Sequence, residues 1–144
     1  MPPRIKPANL PRGTSHIPPA QKLEDAQLKF SFKLIDVHSN QNFCVDHCAD
    51  GYLEKFLVRL RDVCQLSVND FRTNKSRAIR SHLIDWSETT EPNGFTSLNQ
   101  QLRDEEPWQF EITANAHGRV HGVLLGNTFY VVWIDPKHRL YQQR

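Results

Sequence analysis

Histidine and arginine side chains are concentrated near the end of the chain, at a spacing that could support acid–base chemistry on a phosphodiester. Arg119 and His121 are two residues apart on a predicted strand and therefore point to the same face, and His117 comes just before them. His138 and Arg139 follow directly after the next predicted strand. If these two strands form a hairpin, all five side chains gather at one end of the sheet.

The chemistry that this set could perform is the cleavage of RNA by its own 2′-hydroxyl group. That reaction needs a base, an acid, and cations that stabilise the charge developing on the phosphorane. Histidine, with an ordinary pKa of about 6.5, can supply the base and the acid. Arginine supplies the cation through a bidentate fork of N–H donors. The alternative is structural, with Arg119 and His121 hydrogen-bonded inside the sheet and residues 137–139 forming a solvated tail.

A second basic group lies in the middle of the chain and is followed by an acidic segment. The basic group is predicted to contact phosphate and consists of Arg72, Lys75, Arg77, Arg80 and His82. The excursion that follows, residues 85–106, carries six acidic side chains against the single cation Arg103. The alternative is that the two segments pair their charges with each other, or that the basic run is a solvated loop.

Two segments alternate apolar and polar residues strictly, which is typical of strands with one solvent-facing side. They are residues 28–34 and residues 108–115. Residues 78–86 are apolar and mixed, and they are predicted as a further strand. Trp86, Trp108 and Trp133 lie in apolar segments, so they are expected in the core rather than on a base-stacking surface.

Two more strands, residues 119–125 and 128–135, are joined by Gly126-Asn127, which is a strong signal for a two-residue hairpin loop. The second strand is apolar on both faces, which predicts a central position in the sheet. In this hairpin we expect His121 opposite Val132 and Arg119 opposite Ile134.

The clearest helical stripe runs through residues 53–64, where apolar side chains recur at the spacing of one helix face. Asp50 is its expected N-cap. A short second helix, about residues 68–74, is expected to begin at Ser67, which forms a capping-box pattern with Asp70. The predicted order is β-α-α-β-β-β-β, an α+β domain with a mainly antiparallel sheet packed on one main helix.

The chain divides into a proline-rich arm, residues 1–24, and a single domain, residues 25–144. Six of the nine prolines fall within the first 22 residues, so the arm is expected to be disordered, either as a solvated tail or until it orders on a partner. The whole chain has a net charge of +2, but the part from Leu23 onward holds 14 Lys and Arg against 16 Asp and Glu, or −2. Any nucleic-acid contact must therefore use a local patch.

Several other classes lack support. No run approaches the roughly 18 apolar residues of a membrane span, and the N-terminal residues do not form a secretory signal. The three cysteines indicate no disulfide framework, so a cytoplasmic protein without membrane contact is expected. No motif supports nucleotide hydrolysis, dinucleotide redox or serine hydrolase chemistry.

A zinc site is the alternative interpretation of four residues, Cys44, His47, Cys48 and Cys64. Structural zinc needs four ligands at a tetrahedral point, and the paired-knuckle spacing is absent here. Buried thiols are the commoner explanation, so neither a metal nor a cofactor is predicted. Thiol catalysis by Cys44 beside His47 has no further support.

The order of elements and the closing segment resemble the RelE/ParE superfamily of bacterial toxins. In that family an arginine-led strand pairs with an apolar strand, and a short tail containing His and Arg ends near a tyrosine. The resemblance covers roughly residues 25–144 in topology and about residues 118–141 in sequence. It is carried by Gly118-Arg119-Val120-His121, by Phe129-Tyr130-Val131-Val132-Trp133 and by His138-Arg139-Leu140-Tyr141.

The resemblance implies a ribosome-dependent mRNA interferase, independent of metal and neutralised by a cognate antitoxin. By position, Arg119 would match the strand arginine that contacts phosphate, and Tyr141 would match the terminal tyrosine. His138 and Arg139 would match the basic pair after the last strand. The acidic excursion and the proline-rich arm mark the chain as a distinct branch, bacterial or of phage type.

A second hypothesis belongs to a different class: a non-catalytic interaction module. Such a module would be an inhibitor or a subunit of a defence system, and it would bind a protein partner through the acidic excursion and the arm. An endonuclease predicts exposed His and Arg groups gathered at a cleft. An interaction module predicts that they are dispersed and that an apolar or acidic surface is exposed instead.

Overall fold

A computed structural model describes residues 27–43, 46, 48–74, 76–114 and 117–141. The predicted arm, Lys75, Cys44 and His47 lie outside these residues. The described part is α+β, as predicted. Its strands and helices, in chain order, are β1 (Lys29–Ser31), α1 (Tyr52–Val63), α2 (Val68–Arg72), β2 (His82–Leu83), α3 (Gln100–Arg103), β3 (Pro107–Glu111), β4 (Arg119–Leu125) and β5 (Thr128–Asp135).

The five strands form one mixed sheet in the order β1-β5-β4-β3-β2. Strand β1 is parallel to β5, and the other neighbouring pairs are antiparallel. The prediction of a mainly antiparallel sheet therefore holds for the meander, while the first strand lies parallel at the edge. Strand β5 was predicted at the centre of the sheet; it is internal, between β1 and β4, but the central strand is β4.

Helix α1 buries Phe56, Leu60 and Val63 of the predicted stripe against the sheet, together with Tyr52. Leu53 and Leu57 of the same predicted stripe are exposed, because the face that packs on the sheet is rotated toward Tyr52. The N-cap of α1 is Gly51 rather than Asp50. Gly51 has a φ of 80°, a left-handed conformation that glycine adopts without strain. The chain thus enters the helix through a backbone turn and not through a carboxylate cap.

Helix α2 begins as predicted, because the Ser67 hydroxyl accepts a hydrogen bond of 3.0 Å from the backbone N–H of Asp70. Three predicted strands are shorter than expected, and one of them is β3, which ends at Glu111 rather than at residue 115. The strand predicted over residues 78–86 shortens to β2 (His82–Leu83), and the strand predicted over residues 28–34 shortens to β1 (Lys29–Ser31). The chain leaves β1 through a turn in which the N–H of Ile35 bonds to the carbonyl of Phe32.

The sheet carries apolar side chains on both faces, and each face has its own cover. Helices α1 and α2 pack on one face, over a cluster that includes Phe71, Phe110 and Phe129. The other face is covered by irregular segments that supply Phe43, Phe95 and Leu140 around Trp133. Trp108 and Trp133 are buried, as predicted, and Trp86 is half-buried against Phe95.

The β4–β5 hairpin contains a bulge between His121 and Gly122, and this bulge changes the predicted register by one residue. His121 lies opposite Trp133 rather than Val132, and Arg119 lies opposite Asp135 rather than Ile134. A bulge places two residues of one strand against one of its neighbour, and simple alternation does not reveal it. As a result, the carboxylate of Asp135 lies on the same face of the sheet as Arg119.

Among the helices of the described residues, none combines the length and the apolar character needed to cross a bilayer.

Candidate functional site

A row of charged side chains crosses three strands on the sheet face opposite α1. Glu111 of β3 pairs with Arg119 of β4, which pairs with Asp135 of β5. The adjoining row on the same face holds Gln109 opposite His121. Because paired residues on neighbouring strands project to the same side, these five side chains form one polar cluster.

The strongest contact in this polar cluster joins Arg119 to Glu111. Arg119 Nη2 lies 2.6 Å from Glu111 Oε1, and the side chains are 18% and 2% exposed, respectively. Arg80 Nη1 approaches the same oxygen to 3.4 Å, with a side chain that is 65% exposed. A single buried carboxylate therefore holds two guanidinium groups at the surface. Burial lowers the pKa of Arg119, and the negative charge of Glu111 opposes this effect. The guanidinium remains charged throughout.

Asp135 and His121 form the deepest part of the polar cluster. Their Oδ2 and Nε2 atoms are 3.4 Å apart, and both side chains are fully buried. Burial, assisted by the charges of His82 and Arg119, lowers the pKa of His121 to about 3. The imidazole is therefore neutral at neutral pH, and its contact with Asp135 is not a salt bridge. Burial raises the pKa of Asp135, against the effect of the backbone N–H groups that bond to it.

The carboxylate of Asp135 also shapes the segment that follows β5. It accepts hydrogen bonds from the backbone N–H of Arg139 at 2.8 Å and from that of Leu140 at 3.0 Å. Between Asp135 and Arg139, His138 takes a φ of 55°. This turn brings His138 Nε2 to 3.4 Å from Arg119 Nη1. Burial and then Arg119 lower the pKa of His138, opposed by the carboxylates of Asp135 and Glu111, so the half-buried ring is neutral.

Of the six predicted catalytic residues, the structure brings three together: Arg119, His121 and His138. His121 is fully buried, so it does not face a cleft. His117 packs instead against α1, with its ring centroid 6.2 Å from that of Tyr52, and its Nδ1 is 2.9 Å from Thr113 Oγ1.

The remaining two predicted catalytic residues, Arg139 and Tyr141, lie on the segment after β5, among the irregular segments that cover the sheet face opposite α1. Arg139 Nη1 donates to Asn42 Oδ1 at 3.3 Å. The Tyr141 hydroxyl accepts from the backbone N–H of Asp85 at 3.1 Å, and its ring packs against His82. Burial raises the pKa of Tyr141, while the N–H of Asp85 lowers it.

The predicted phosphate-contact group divides in the structure. Arg72 Nη1 pairs with Glu106 Oε2 at 2.7 Å, so this arginine follows the alternative of charge pairing with the acidic excursion. The hydrogen bond from Trp108, followed by the contact with Arg72, lowers the pKa of Glu106 against burial. Arg77, Arg80 and His82 line an open basic groove of about 460 Å³, together with Asn74 and Ser81. Arg80 connects this basic groove to the polar cluster through Glu111.

Three members of the polar cluster were missed by sequence reasoning, which did not select Asp135 and placed Gln109 and Glu111 on a solvated strand face. Gln109 and Glu111 are both buried under the irregular segments. Within the described residues, Gln109 Oε1, Glu111 Oε2 and both ring nitrogens of His121 are buried without a hydrogen-bond partner. Native proteins contain few such groups, and those present often mark functional sites. The sequence contained one signal for them: Gln109 and Glu111 alternate on β3 as His121 and Arg119 do on β4, the strand that pairs with it.

The described residues contain no group of three or more His, Cys, Asp or Glu side chains arranged to hold a metal ion. Cys44 and His47 lie outside the described part, so the zinc interpretation stays untested. The described arrangement places the neutral imidazole of His138 beside the guanidinium of Arg119, at the surface end of the buried polar cluster. The basic groove adds two further cationic or titratable side chains on the same side, Arg77 and His82.

Comparison of the chain with protein-family models, with curated proteins and with solved structures finds no match. The resemblance to the RelE/ParE toxins therefore stays a prediction.

Proposed function

We propose that the chain is a metal-independent endoribonuclease, toxin-like and of the mRNA-interferase type. The observation that carries the proposal is the contact of 3.4 Å between Arg119 Nη1 and His138 Nε2, at the surface end of the polar cluster. A neutral imidazole can accept a proton, and an adjacent guanidinium can bind the phosphate on which the reaction takes place. RNA provides its own nucleophile, the 2′-hydroxyl, next to that phosphate.

In the proposed reaction, His138 takes the proton of the 2′-hydroxyl as the oxygen bonds to phosphorus. The bond from phosphorus to the 5′-oxygen breaks, and the leaving oxygen takes a proton from water or from a second histidine such as His82. Arg119 binds the phosphorane oxygens as their negative charge develops. Glu111 is a positioning residue, because it is buried and fixes Arg119 through the 2.6 Å contact.

The basic groove supports the proposal by offering a path for the RNA backbone. Arg77 and His82 are exposed and line it, while Arg80 lies between it and the polar cluster. Phosphate binding by such a local patch is compatible with a body whose net charge is slightly negative, since association depends on the local field.

The test uses the purified full chain and a single-stranded RNA labelled at both ends, with a chelator present and with or without ribosomes. We expect cleavage that leaves a 2′,3′-cyclic phosphate, and we expect none when the cleaved nucleotide is 2′-deoxy. His138→Ala and Arg119→Lys should lower the rate at least 100-fold, the scale of a lost proton-transfer or charge-stabilising group.

Arg61→Ala is the matched control, because Arg61 is an exposed arginine on α1, on the other side of the sheet. It should cleave RNA at the wild-type rate. Induction of the same variants in a bacterial host, with total RNA examined, tests the toxin-like effect. Intact RNA in both settings, from a chain that is folded by circular dichroism, would contradict the proposal.

The second candidate is the non-catalytic interaction module, and one observation favours it. His121, one of the predicted catalytic side chains, is completely buried, as a purely structural cluster requires. This candidate predicts that neither the wild type nor the Arg119 and His138 variants cleave RNA, and that the wild type captures a specific protein partner from a host lysate.

A further inference from the structure

Helix α1 carries a second apolar stripe beside the face that packs on the sheet. Leu53, Leu57 and Val58 are 67%, 54% and 38% exposed. Exposed leucines are ordinary when they are scattered singly. Here Leu53 and Leu57 are four residues apart and therefore adjacent on the surface of one helix, and Val58 lies about 100° further round that helix from Leu57.

The exposed stripe continues into a groove at the N-terminal end of the helix. This groove has a volume of about 430 Å³ and is lined by Leu53, Phe56, Ile134 and the turn before the helix. Stripe and groove together form a contiguous apolar surface, which is typical of a site where another protein packs.

The charges beside the stripe indicate which protein this is. Glu54 and Arg61 are exposed and seven residues apart, so they lie on one side of the helix with Leu57 between them. The acid is toward the N-terminal end and the base toward the C-terminal end. An identical helix running antiparallel would place its Arg61 opposite Glu54 and its Glu54 opposite Arg61, whereas a parallel one would oppose like charges.

Within the part of the chain that the structure describes, Arg61 contacts the charge of Asp62 at 3.9 Å, and a pair of exposed side chains at that distance is weak.

We infer that α1 is the interface of a homodimer, in which two copies pack their α1 helices antiparallel about a two-fold axis near Leu57 and Val58. The axis passes midway between Glu54 and Arg61, so both ion pairs form at once. A 12-residue helix is about 18 Å long and its interface is small, so the dimer is expected to be weak and to dissociate at micromolar concentration.

Sedimentation equilibrium of the full chain over a range from micromolar to near-millimolar concentration tests the inference without reference to any activity. The wild type should pass from monomer to dimer across this range. Leu57→Lys should remain monomeric, because a charge would be buried in the centre of the interface. The thermal unfolding temperature should hardly change, since Leu57 is more than half exposed in the monomer.

Charge reversal separates this interface from any other. Glu54→Arg alone opposes two arginines, and Arg61→Glu alone opposes two glutamates, so each single variant should weaken dimerisation about 10-fold. The double variant restores opposite charges at both positions and should dimerise like the wild type. A specific antiparallel packing predicts this recovery, and nonspecific association through apolar side chains does not.

Leu83→Lys is the matched control, because Leu83 is 52% exposed and lies on β2, at the edge of the sheet. It should leave the dimer intact. A chain that stays monomeric at every concentration, a dimer that survives Leu57→Lys, or a double charge reversal that fails to recover would each overturn the inference.

Discussion

Asp135 and His121 occupy neighbouring strands, and their Oδ2 and Nε2 atoms are 3.4 Å apart with no exposure to solvent. The distance would suit an ion pair, yet burial keeps the imidazole neutral by lowering its pKa to about 3. The carboxylate meanwhile holds the backbone of residues 139 and 140. The buried carboxylate of Asp135 therefore connects the interior of the sheet to the segment that contains His138.

The first prediction is that the free energy of unfolding decreases as the pH is lowered, because of His121. A folded-state pKa near 3, below an unfolded value of 6.5, means that the unfolded chain binds the extra proton first as the pH falls. Between pH 7 and pH 5 this linkage removes about 2 kcal/mol of unfolding free energy. The raised pKa of Asp135 acts in the opposite direction as the pH falls.

Urea unfolding of the wild type and of His121→Gln at both pH values checks this expectation. Glutamine is polar, of similar size and does not titrate, so the variant should lose less stability on acidification than the wild type. Identical losses in the two proteins would show that His121 is not the group responsible.

The second prediction concerns the ion pair of Glu111 and Arg119. Replacing Glu111 with Gln removes the charge that compensates a largely buried guanidinium, and this should cost about 2–4 kcal/mol of unfolding free energy. Arg80→Ala removes the exposed partner of the same carboxylate and should cost less than about 1 kcal/mol. Chemical denaturation of both variants at low and high salt measures the difference, and equal costs would contradict the assignment of Arg119 as the principal partner.

Hydrophobic periodicity predicted the elements that bury a regular face. Most of the buried face of α1, the Ser67 cap of α2 and the β4–β5 hairpin are present, because each follows from spacing within a short stretch of chain. Leu53 and Leu57 of the predicted α1 stripe are exposed instead. The order of these elements along the chain also led to the α+β class. Local patterns of this kind record which side of an element faces the core.

The candidate site depended on contacts that local patterns do not record. The alternation of β3 predicted a solvated face for Gln109 and Glu111, but Phe95 and Leu140, distant in sequence, help to cover that face. The bulge after His121 adds one residue to the register and so places Asp135, which sequence reasoning did not select, beside Arg119. Spacing did identify Arg119, His121 and His138, because they flank one hairpin.

The third prediction tests the bulge itself. A Cβ added at Gly122 would lie 2.2 Å from the backbone oxygen of Tyr130, and backbone atoms within a sheet cannot move aside cheaply. Gly122→Ala should therefore cost more than about 3 kcal/mol or shift the register of the hairpin. Gly126→Ala is the control, since nothing lies within 4 Å and only its φ of 59° opposes the change, at a cost of about 1 kcal/mol. Thermal unfolding compares the two, and similar costs would argue against the tight register.

The fourth prediction is that the pKa of His138 rises when Arg119 is replaced. Burial and the neighbouring guanidinium both hold this pKa below its ordinary value. Arg119→Gln removes the positive charge 3.4 Å away and opens the ring to water, and both effects favour protonation. Arg139→Gln is the control, because its side chain is directed to Asn42. NMR titration of the imidazole C–H signals measures both variants.

The same change has a consequence for catalysis, because a general base works only above its own pKa. If His138 is the base, any residual RNA cleavage by Arg119→Gln should begin at a higher pH than cleavage by the wild type. The shift of the acidic limb of the pH–rate profile should match the change in the pKa of His138 that NMR measures. A raised pKa of His138 with an unmoved acidic limb would mean that another group takes the proton, and an unmoved pKa would contradict the contact between the two side chains.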